Sequence, residues 1–377
     1  MRIKILADDK IPFLKGVLEP YAHIEYKAGK KTLAGDVEEC DALITRTRTK
    51  CNASLLEGSL VKCIATATIG FDHIDTAYCE EKGIHWENAP GCNSGSVAQY
   101  MASLLLNLAV KEGFSLKGKT IGVIGVGNVG KKIVKVAELF GMKVLENDPP
   151  RERLEGKKNF VPLSRIAEEA DFITFHVPLI MDGEDKTFHY ADEAFFASLK
   201  KRPFLINASR GEVVDTRLLK EILKEGKLLK GAALDVWENE PEIDRELLSL
   251  LTFATPHIAG YSIDGKANGT SQSVRVIAEY FGIDALKEFY PQDVPEVPEP
   301  LIDLAGKSYL SLEEELLEAV NTSYDIRKDD ALLREDPASF EAQRGNYPFR
   351  REAVGYTVKN GSPAAEEILA ALGFRKQ

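Results

Sequence analysis

The chain has no apolar run long enough to cross a bilayer. The nearest, Met101 to Val110, falls well short of the roughly 20 residues that a spanning helix needs. It also lacks positive charge. With 48 basic side chains against 59 acidic ones and a net charge of −11, it is poorly suited to nucleic acid or to an anionic membrane surface. Cysteine is scarce. The five present (Cys40, Cys51, Cys63, Cys79 and Cys92) are odd in number, lie in the first quarter and show no CxxC spacing. That argues against a disulfide framework and a metal site, and it suits reduced thiols in a cytoplasm. There is no internal repeat and no low-complexity tract, and Met1 is followed by the strand-like Arg2-Ile3-Lys4-Ile5-Leu6, not by a secretion signal. What remains is 44% hydrophobic over 377 residues, enough to fill two or three domain cores.

Glycine is placed where it tells most. Gly125-Val126-Gly127-Asn128-Val129-Gly130 follows a strand-like Thr120-Ile121-Gly122-Val123-Ile124. It precedes a segment, Lys131 to Phe140, with apolar residues at helical period: Ile133, Val134, Ala137 and Phe140. A second strand, Lys143-Val144-Leu145-Glu146, leads to Asp148, eighteen residues past Gly130. Strand, tight turn, helix, strand and acid is the order of a dinucleotide site. The glycines let the backbone approach a pyrophosphate, the helix N-terminus offers free N–H groups, and the acid accepts from ribose hydroxyls. A carboxylate at Asp148 favours NAD over NADP, because it would repel a 2′-phosphate. Arg151 and Arg153 could blunt that repulsion; their plainer reading is solvated charge on a loop.

Short strands at Arg2–Ala7, Ile24–Tyr26, Ala42–Thr45, Cys63–Thr66 and Ile84–Glu87 suggest a small α/β unit ahead of this motif. A helix from about Asn93–Ser96 to Lys111, with the stripe Val97, Met101, Leu104, Leu105 and Leu108, reads as a crossover into the next domain. Strand signals at Phe172–Phe175, Phe204–Ile206, Ala232–Leu234 and Phe253–Ala254 alternate with helical stretches, as a doubly wound parallel sheet requires. A helix from about Gly265 to Phe281 could return the chain to the first domain. Pro291, Pro295, Pro298 and Pro300 predict an extended linker, followed by a helix at Leu312–Val320, a strand at Val354–Val358 and a helix at Pro363–Leu372. The expected architecture is α/β: a Rossmann-type domain over 97–261, lying between the two parts (1–96 and 262–285) of a smaller α/β domain, with a small α+β domain over 286–377.

Three segments after predicted strands carry candidate chemistry. Asn207-Ala208-Ser209-Arg210-Gly211 offers an arginine that can hold a carboxylate with two parallel hydrogen bonds. Asp235-Val236-Trp237-Glu238-Asn239-Glu240-Pro241 and Pro256-His257-Ile258-Ala259-Gly260-Tyr261 offer acids and a histidine. A histidine held by a glutamate is a proton-transfer pair: the carboxylate fixes the tautomer and makes the imidazole a better acceptor of a hydroxyl proton.

Taken with Thr68-Ile69-Gly70-Phe71-Asp72-His73-Ile74-Asp75, Asn88-Ala89-Pro90-Gly91 and His176-Val177-Pro178-Leu179, these motifs run in order over about residues 40 to 265. The chain resembles the D-isomer-specific 2-hydroxyacid dehydrogenase family. The resemblance implies that residues 1–96 and 262–285 form a substrate (lid) domain into which the NAD domain is inserted, with NAD as cofactor and a small phosphorylated hydroxy acid as substrate; no metal is expected. It places an Arg–Glu–His set on Arg210, Glu240 and His257. Beyond Gly125, Gly127 and Gly130, it puts cofactor contacts on Asn128, Val129, Asp148, Val177, Ala208, Ser209, Asp235 and Gly260, and substrate contacts on Thr47, Thr68 and Tyr261. Val177 departs from an expected threonine. Local positive charge for a doubly anionic substrate is sought at Arg46, on a loop over 45–50, with Arg48 and Lys50 equally readable as a solvated edge. The resemblance further implies a homodimer formed through the C-terminal domain. His73 and His176 are expected to orient backbone, and His23, His85 and His189 to be structural. Tyr347-Pro348-Phe349-Arg350-Arg351 is expected at the surface, with a neighbouring subunit's active site as the alternative. Two rival readings are a related dehydrogenase of 3-phosphoglycerate or hydroxypyruvate, and a nicotinamide-sensing corepressor-like protein. The second is disfavoured by the lack of disordered tails.

Overall fold

The structure, a computed structural model, describes residues 2–156 and 159–377. The chain forms two compact units: residues up to Asn93 with Ser262–Glu296, and Ser94–Tyr261 with Val297–Gln377.

The first unit is built on a parallel sheet of β1 (Ile3–Asp8), β2 (Ala22–Lys27), β3 (Ala42–Thr45), β4 (Cys63–Thr66) and β5 (His85–Glu87), in the order β2-β1-β3-β4-β5. Side chains alternate across a strand, so the two faces feed separate cores. Ile5, Ala7, Ile44 and Ala65 join Val274 and Ile277 of the helix Ile263–Phe281, while Leu6, Leu43 and Ile64 join Val37 and Cys79. That helix starts where the Ser262 hydroxyl accepts from the Gly265 amide at 2.8 Å, and it ends at left-handed Gly282.

The second unit carries a parallel sheet of β6 (Thr120–Ile124), β7 (Lys143–Asn147), β8 (Phe172–Phe175), β9 (Phe204–Asn207), β10 (Gly231–Leu234) and β11 (Phe253–Ala254). Its order, β11-β10-β9-β8-β6-β7, reverses between β8 and β6. The turn after β6 therefore opens at the topological switch point, where α/β sheets bind ligands.

Residues past Val297 share a hydrophobic core with this sheet. They add a three-stranded parallel sheet of β12 (Leu301–Asp303), β13 (Thr357–Lys359) and β14 (Arg375–Lys376). The helix Ser94–Glu112 shows the physical consequence. Its predicted apolar stripe is buried, and so are its polar residues Gln99, Ser103 and Asn107. The Ser103 hydroxyl donates to Asn321 Oδ1 at 2.9 Å, and the Gln99 amide to Ser323 Oγ at 3.0 Å, both on the helix Leu312–Ser323. A helix that reads as one-sided in sequence is thus packed on both sides.

Several expectations change here. The strand expected at Val354–Val358 is the shorter β13, and the helices Ile326–Glu335 and Phe340–Gly345 were not foreseen. Within the proline-rich stretch, Val297 packs against the core. Arg350 and Arg351, expected at the surface, are 5% and 6% exposed. Among the described residues no helix is long and apolar enough to cross a membrane.

Candidate active site

The glycine turn is shaped for a ligand by what each missing Cβ would meet. Gly125 adopts φ +84°, and a Cβ there would lie 2.5 Å from the His176 carbonyl oxygen. A Cβ on Gly130 would strike the Gly125 carbonyl oxygen, so the turn and its helix can close only with hydrogen at both places. At Gly127 a Cβ would meet nothing within 4 Å. This glycine caps the helix Asn128–Leu139 without any side-chain hydrogen bond, leaving an open, N–H-rich helix end. That geometry fits a pyrophosphate. Asn128 and Val129 are the first two residues of the helix.

Asp148 directly follows β7 and also holds the turn together. Its Oδ2 accepts from the Val126 amide at 2.8 Å and its Oδ1 from the Arg151 amide at 3.1 Å, capping the helix Pro149–Glu155. Arg151 is not a solvated loop charge. It lies on that helix, donates to the Val126 carbonyl at 2.5 Å and stacks 5.1 Å from the Phe160 ring. Arg153 is on the same helix, paired with Asp185 and Glu184. Val177 packs its Cγ1 beneath Gly125, which accounts for an apolar residue at that position.

The loops after β9, β10 and β11 meet in one network. Asn207 organises the first: its Oδ1 accepts from the Ser209 amide at 3.1 Å and from the Ser209 hydroxyl at 2.8 Å, while its amide donates to the Arg210 carbonyl at 2.8 Å. Ala208 packs against the core, and Arg210 sends one guanidinium N–H to the Ser209 carbonyl at 2.8 Å. A Cβ on Gly211 would collide with the Trp237 carbonyl, so this loop lies directly against the next. Asp235, 2% exposed, accepts from the Thr255 hydroxyl at 2.7 Å and from the Ile258 and Ala259 amides at 2.8 and 3.0 Å. Burial pushes its carboxyl up, against the pull of these donors and of His257. The carboxylate therefore ties the loop holding His257, Gly260 and Tyr261 to the end of β10.

His257 sits at φ +57° and its Nδ1 lies 2.7 Å from Glu240 Oε2. Since a carboxylate only accepts, Nδ1 carries the hydrogen and Nε2, which has no partner among the described residues, is the open acceptor. Glu240 Oε1 accepts from the Trp237 amide at 2.9 Å. Burial pushes the Glu240 carboxyl up, but His257, the Trp237 amide and Arg344 outweigh it and hold it below the ordinary carboxylate range.

A second histidine–carboxylate pair is built differently. His189 Nε2 lies 2.7 Å from Glu238 Oε1, its Nδ1 is 3.8 Å from Asp215, and its ring stacks on Phe188 at 4.1 Å. It thus has acids near both nitrogens and a ring against its face. His176 has its Nε2 2.9 Å from the Thr174 hydroxyl, and burial pushes its imidazole down to about 3. Its Nδ1 is buried without a hydrogen-bond partner among the described residues, so neither ring nitrogen bonds backbone.

In the first unit, residues 46–50 form the expected loop. Thr47 is exposed, and Arg46 donates to the Lys10 carbonyl at 3.3 Å. The Thr68 hydroxyl donates to the Gly70 carbonyl at 2.9 Å and lies 2.9 Å from Thr66 Oγ1. Lys266, in the first turn of the helix Ile263–Phe281, was not singled out by sequence reasoning. Its amine is held below the ordinary lysine value by partial burial and then by the charge of Arg46, so the two cations share one neighbourhood. All five cysteines are free thiols, and no group of acidic, histidine or cysteine side chains suited to a metal occurs among the described residues.

Residues 99–259 match the family described as D-isomer specific 2-hydroxyacid dehydrogenase, NAD binding domain, and the chain belongs to that family. Residues 295–373 match a domain of unknown function, DUF3410. Among relatives, the chain is 51% identical to an erythronate-4-phosphate dehydrogenase of Bacteroides thetaiotaomicron, over 94% of this chain and 99% of that protein. It is 43% identical to the enzyme of that name from Porphyromonas gingivalis, over 99% and 100% respectively. Among solved structures, an NAD+-bound 3-phosphoglycerate dehydrogenase from Entamoeba histolytica is similar with a TM-score of 0.63 and 25% identity, covering 76% of this chain and 98% of that one.

Proposed function

We propose that this protein oxidises the 2-hydroxyl of 4-phospho-D-erythronate to 2-oxo-3-hydroxy-4-phosphobutanoate, a step in pyridoxal 5′-phosphate biosynthesis. The observation that carries this reading is the 2.7 Å contact between His257 Nδ1 and Glu240, which leaves Nε2 open on the unit that also holds the glycine turn. Bound NAD supplies the two-electron acceptor for the hydride that leaves C2. The turn at Gly125, Gly127 and Gly130, with Asn128, Val129 and Asp148, would hold its pyrophosphate and ribose. Val177, Ala208, Ser209, Asp235 and Gly260 would line the rest.

His257 Nε2 takes the hydroxyl proton as the C2 hydride departs, so the carbinol becomes a ketone and the proton rests on the imidazole. Glu240 stabilises the resulting imidazolium and keeps the ring in the tautomer that exposes Nε2. Arg210 grips the substrate carboxylate, whose charge and planar geometry suit a guanidinium fork. Thr47, Thr68 and Tyr261 are assigned to the substrate, and Arg46 to its phosphate; the nearby Lys266 supports a second cation there. A homodimer formed through residues 286–377 and a cytoplasmic setting belong to the same proposal. The exposed Leu301, Leu310, Leu312, Leu332, Phe349 and Val354 support the first, and the five free thiols support the second.

The test is a kinetic comparison of 4-phosphoerythronate, 3-phosphoglycerate and glycerate with NAD. Preference for 4-phosphoerythronate is expected. A higher kcat/KM for 3-phosphoglycerate would overturn the substrate assignment.

A further inference from the structure

Two arginines of the C-terminal segment approach the loop that carries His257, and they differ in how they are held. Arg350 has acceptors on every side: Gln99 Oε1 at 2.9 Å and the carbonyls of Ser96, Ile258 and Ala259 at 2.7, 3.3 and 3.4 Å. That is how a buried cation is satisfied when its work is to hold a fold. Arg344, on the helix Phe340–Gly345, is not held in that manner. Its Nε is buried without a hydrogen-bond partner among the described residues. Its nearest acidic partners are Glu341, 3.4 Å away on the same helix, and Glu240 Oε2 at 3.8 Å, the oxygen that bonds His257. Its guanidinium also lies 5.9 Å from the Tyr261 ring and 6.0 Å from that of Phe340. Leaving a guanidinium nitrogen buried and unbonded is costly, so its retention beside Glu240 calls for a reason other than stability.

We propose that Arg344 is a positioning residue for the reaction: from the C-terminal segment it sets the charge and orientation of Glu240, and through Glu240 the readiness of His257 to accept the substrate proton. The inference rests on the proton-transfer reading of His257 given above. The other charged or titratable groups around the pair are Asp235, whose carbonyl accepts from the His257 amide, Glu341 beside Arg344, and Arg350, whose guanidinium is spent on the Ile258 and Ala259 carbonyls. Tyr261 and Tyr347 meet edge to face, with Asp329 accepting from the Tyr347 hydroxyl, and Glu238 is turned to His189 and Thr216. None of these places a second cation on the Glu240 carboxylate. At about 4 Å in a half-buried setting, one unit charge is strong enough to move a titration.

The sign follows from electrostatics. A cation next to the pair opposes proton uptake by it, so removing the cation lets the pair hold its proton to higher pH. Arg344→Met should therefore move the acidic limb of the kcat/KM profile upward by about one pH unit. It should lower kcat roughly tenfold at pH 7 with little change in KM for NAD, and Arg344→Lys should recover most of both. In an E240Q background the additional loss on R344M should vanish, because the residue it acts through is gone. NMR titration of the His257 ring in both R344M and R344Q gives a readout that does not depend on turnover. An unchanged acidic limb and ring titration in R344M would overturn the proposal, as would a full additional loss in the E240Q background. If the wild-type protein oxidised no hydroxy acid, the function proposed above would fall, whereas normal wild-type turnover with an indifferent R344M would overturn only this inference.

Discussion

Arg350 donates to the carbonyl oxygen of Ile258 at 3.3 Å, one residue past His257 in the chain. The same guanidinium lies 3.7 Å from the Tyr324 ring centroid, so the loop behind the histidine rests on a buried cation that itself rests on an aromatic face. Replacing it with methionine leaves four oxygen acceptors without their donor. Arg350→Met is expected to cost about 3 kcal/mol of stability and to lower kcat more than NAD affinity. Urea unfolding and a cofactor titration check this; a variant as stable as the parent would contradict it.

The three glycines of the turn should separate folding from binding. Gly125→Ala places a side chain at φ +84° against the His176 carbonyl, and Gly130→Ala drives one into the Gly125 carbonyl. Each should lose about 2 kcal/mol or more of stability. Gly127→Ala, with open space around it, should fold normally and bind NAD roughly tenfold more weakly. Thermal unfolding and fluorescence titration distinguish the two classes. Equal behaviour of all three would show that Gly127 does not face the ligand.

His257→Ala should keep NAD affinity and abolish hydride transfer, since it removes the proposed proton acceptor. Glu240→Gln keeps the shape but loses the charge that supports the imidazolium, and should reduce kcat by about a hundredfold or more. Stopped-flow measurement of nicotinamide reduction reads both directly. Retained turnover in His257→Ala would remove it from the chemistry.

His176 predicts a pH dependence of stability. Its folded imidazole is pushed down to about 3 from an ordinary value of 6.5. The unfolded chain takes up this proton below pH 6.5 while the folded one does not. The stability contribution is thus complete above 6.5 and is lost as pH falls toward 3. Unfolding free energy should drop by up to about 5 kcal/mol over that interval, and His176→Asn should flatten most of the slope. Denaturant midpoints at several pH values test it.

The first-unit sheet, the Rossmann-type strands and the glycine turn were legible because their signals are local. Strands such as Ala42–Thr45 and Cys63–Thr66 are apolar over a few residues, and their alternating side chains feed the two cores as period-two reasoning requires. The helices Ile326–Glu335 and Phe340–Gly345 escaped notice because they are short and charged, and they bury only Ile326, Asp329 and Leu333 in one case and Phe340 in the other. Arg151 was misjudged for a related reason. A lone arginine after two prolines gives no hint that it will reach the Val126 carbonyl, twenty-five residues back.

By itself, the order of residues determined what steric and hydrophobic periodicity can encode: which segments become strands, where only glycine can turn, and which acid follows the second strand. It also marked Arg210, Glu240 and His257 as candidates. Only the tertiary structure decided that Glu240 and His257 touch, that Asp235 knits the histidine loop together, and that Arg344 arrives beside them from about a hundred residues further on. Local propensity acts over a few residues, whereas a charged side chain's partners are chosen by packing of distant elements.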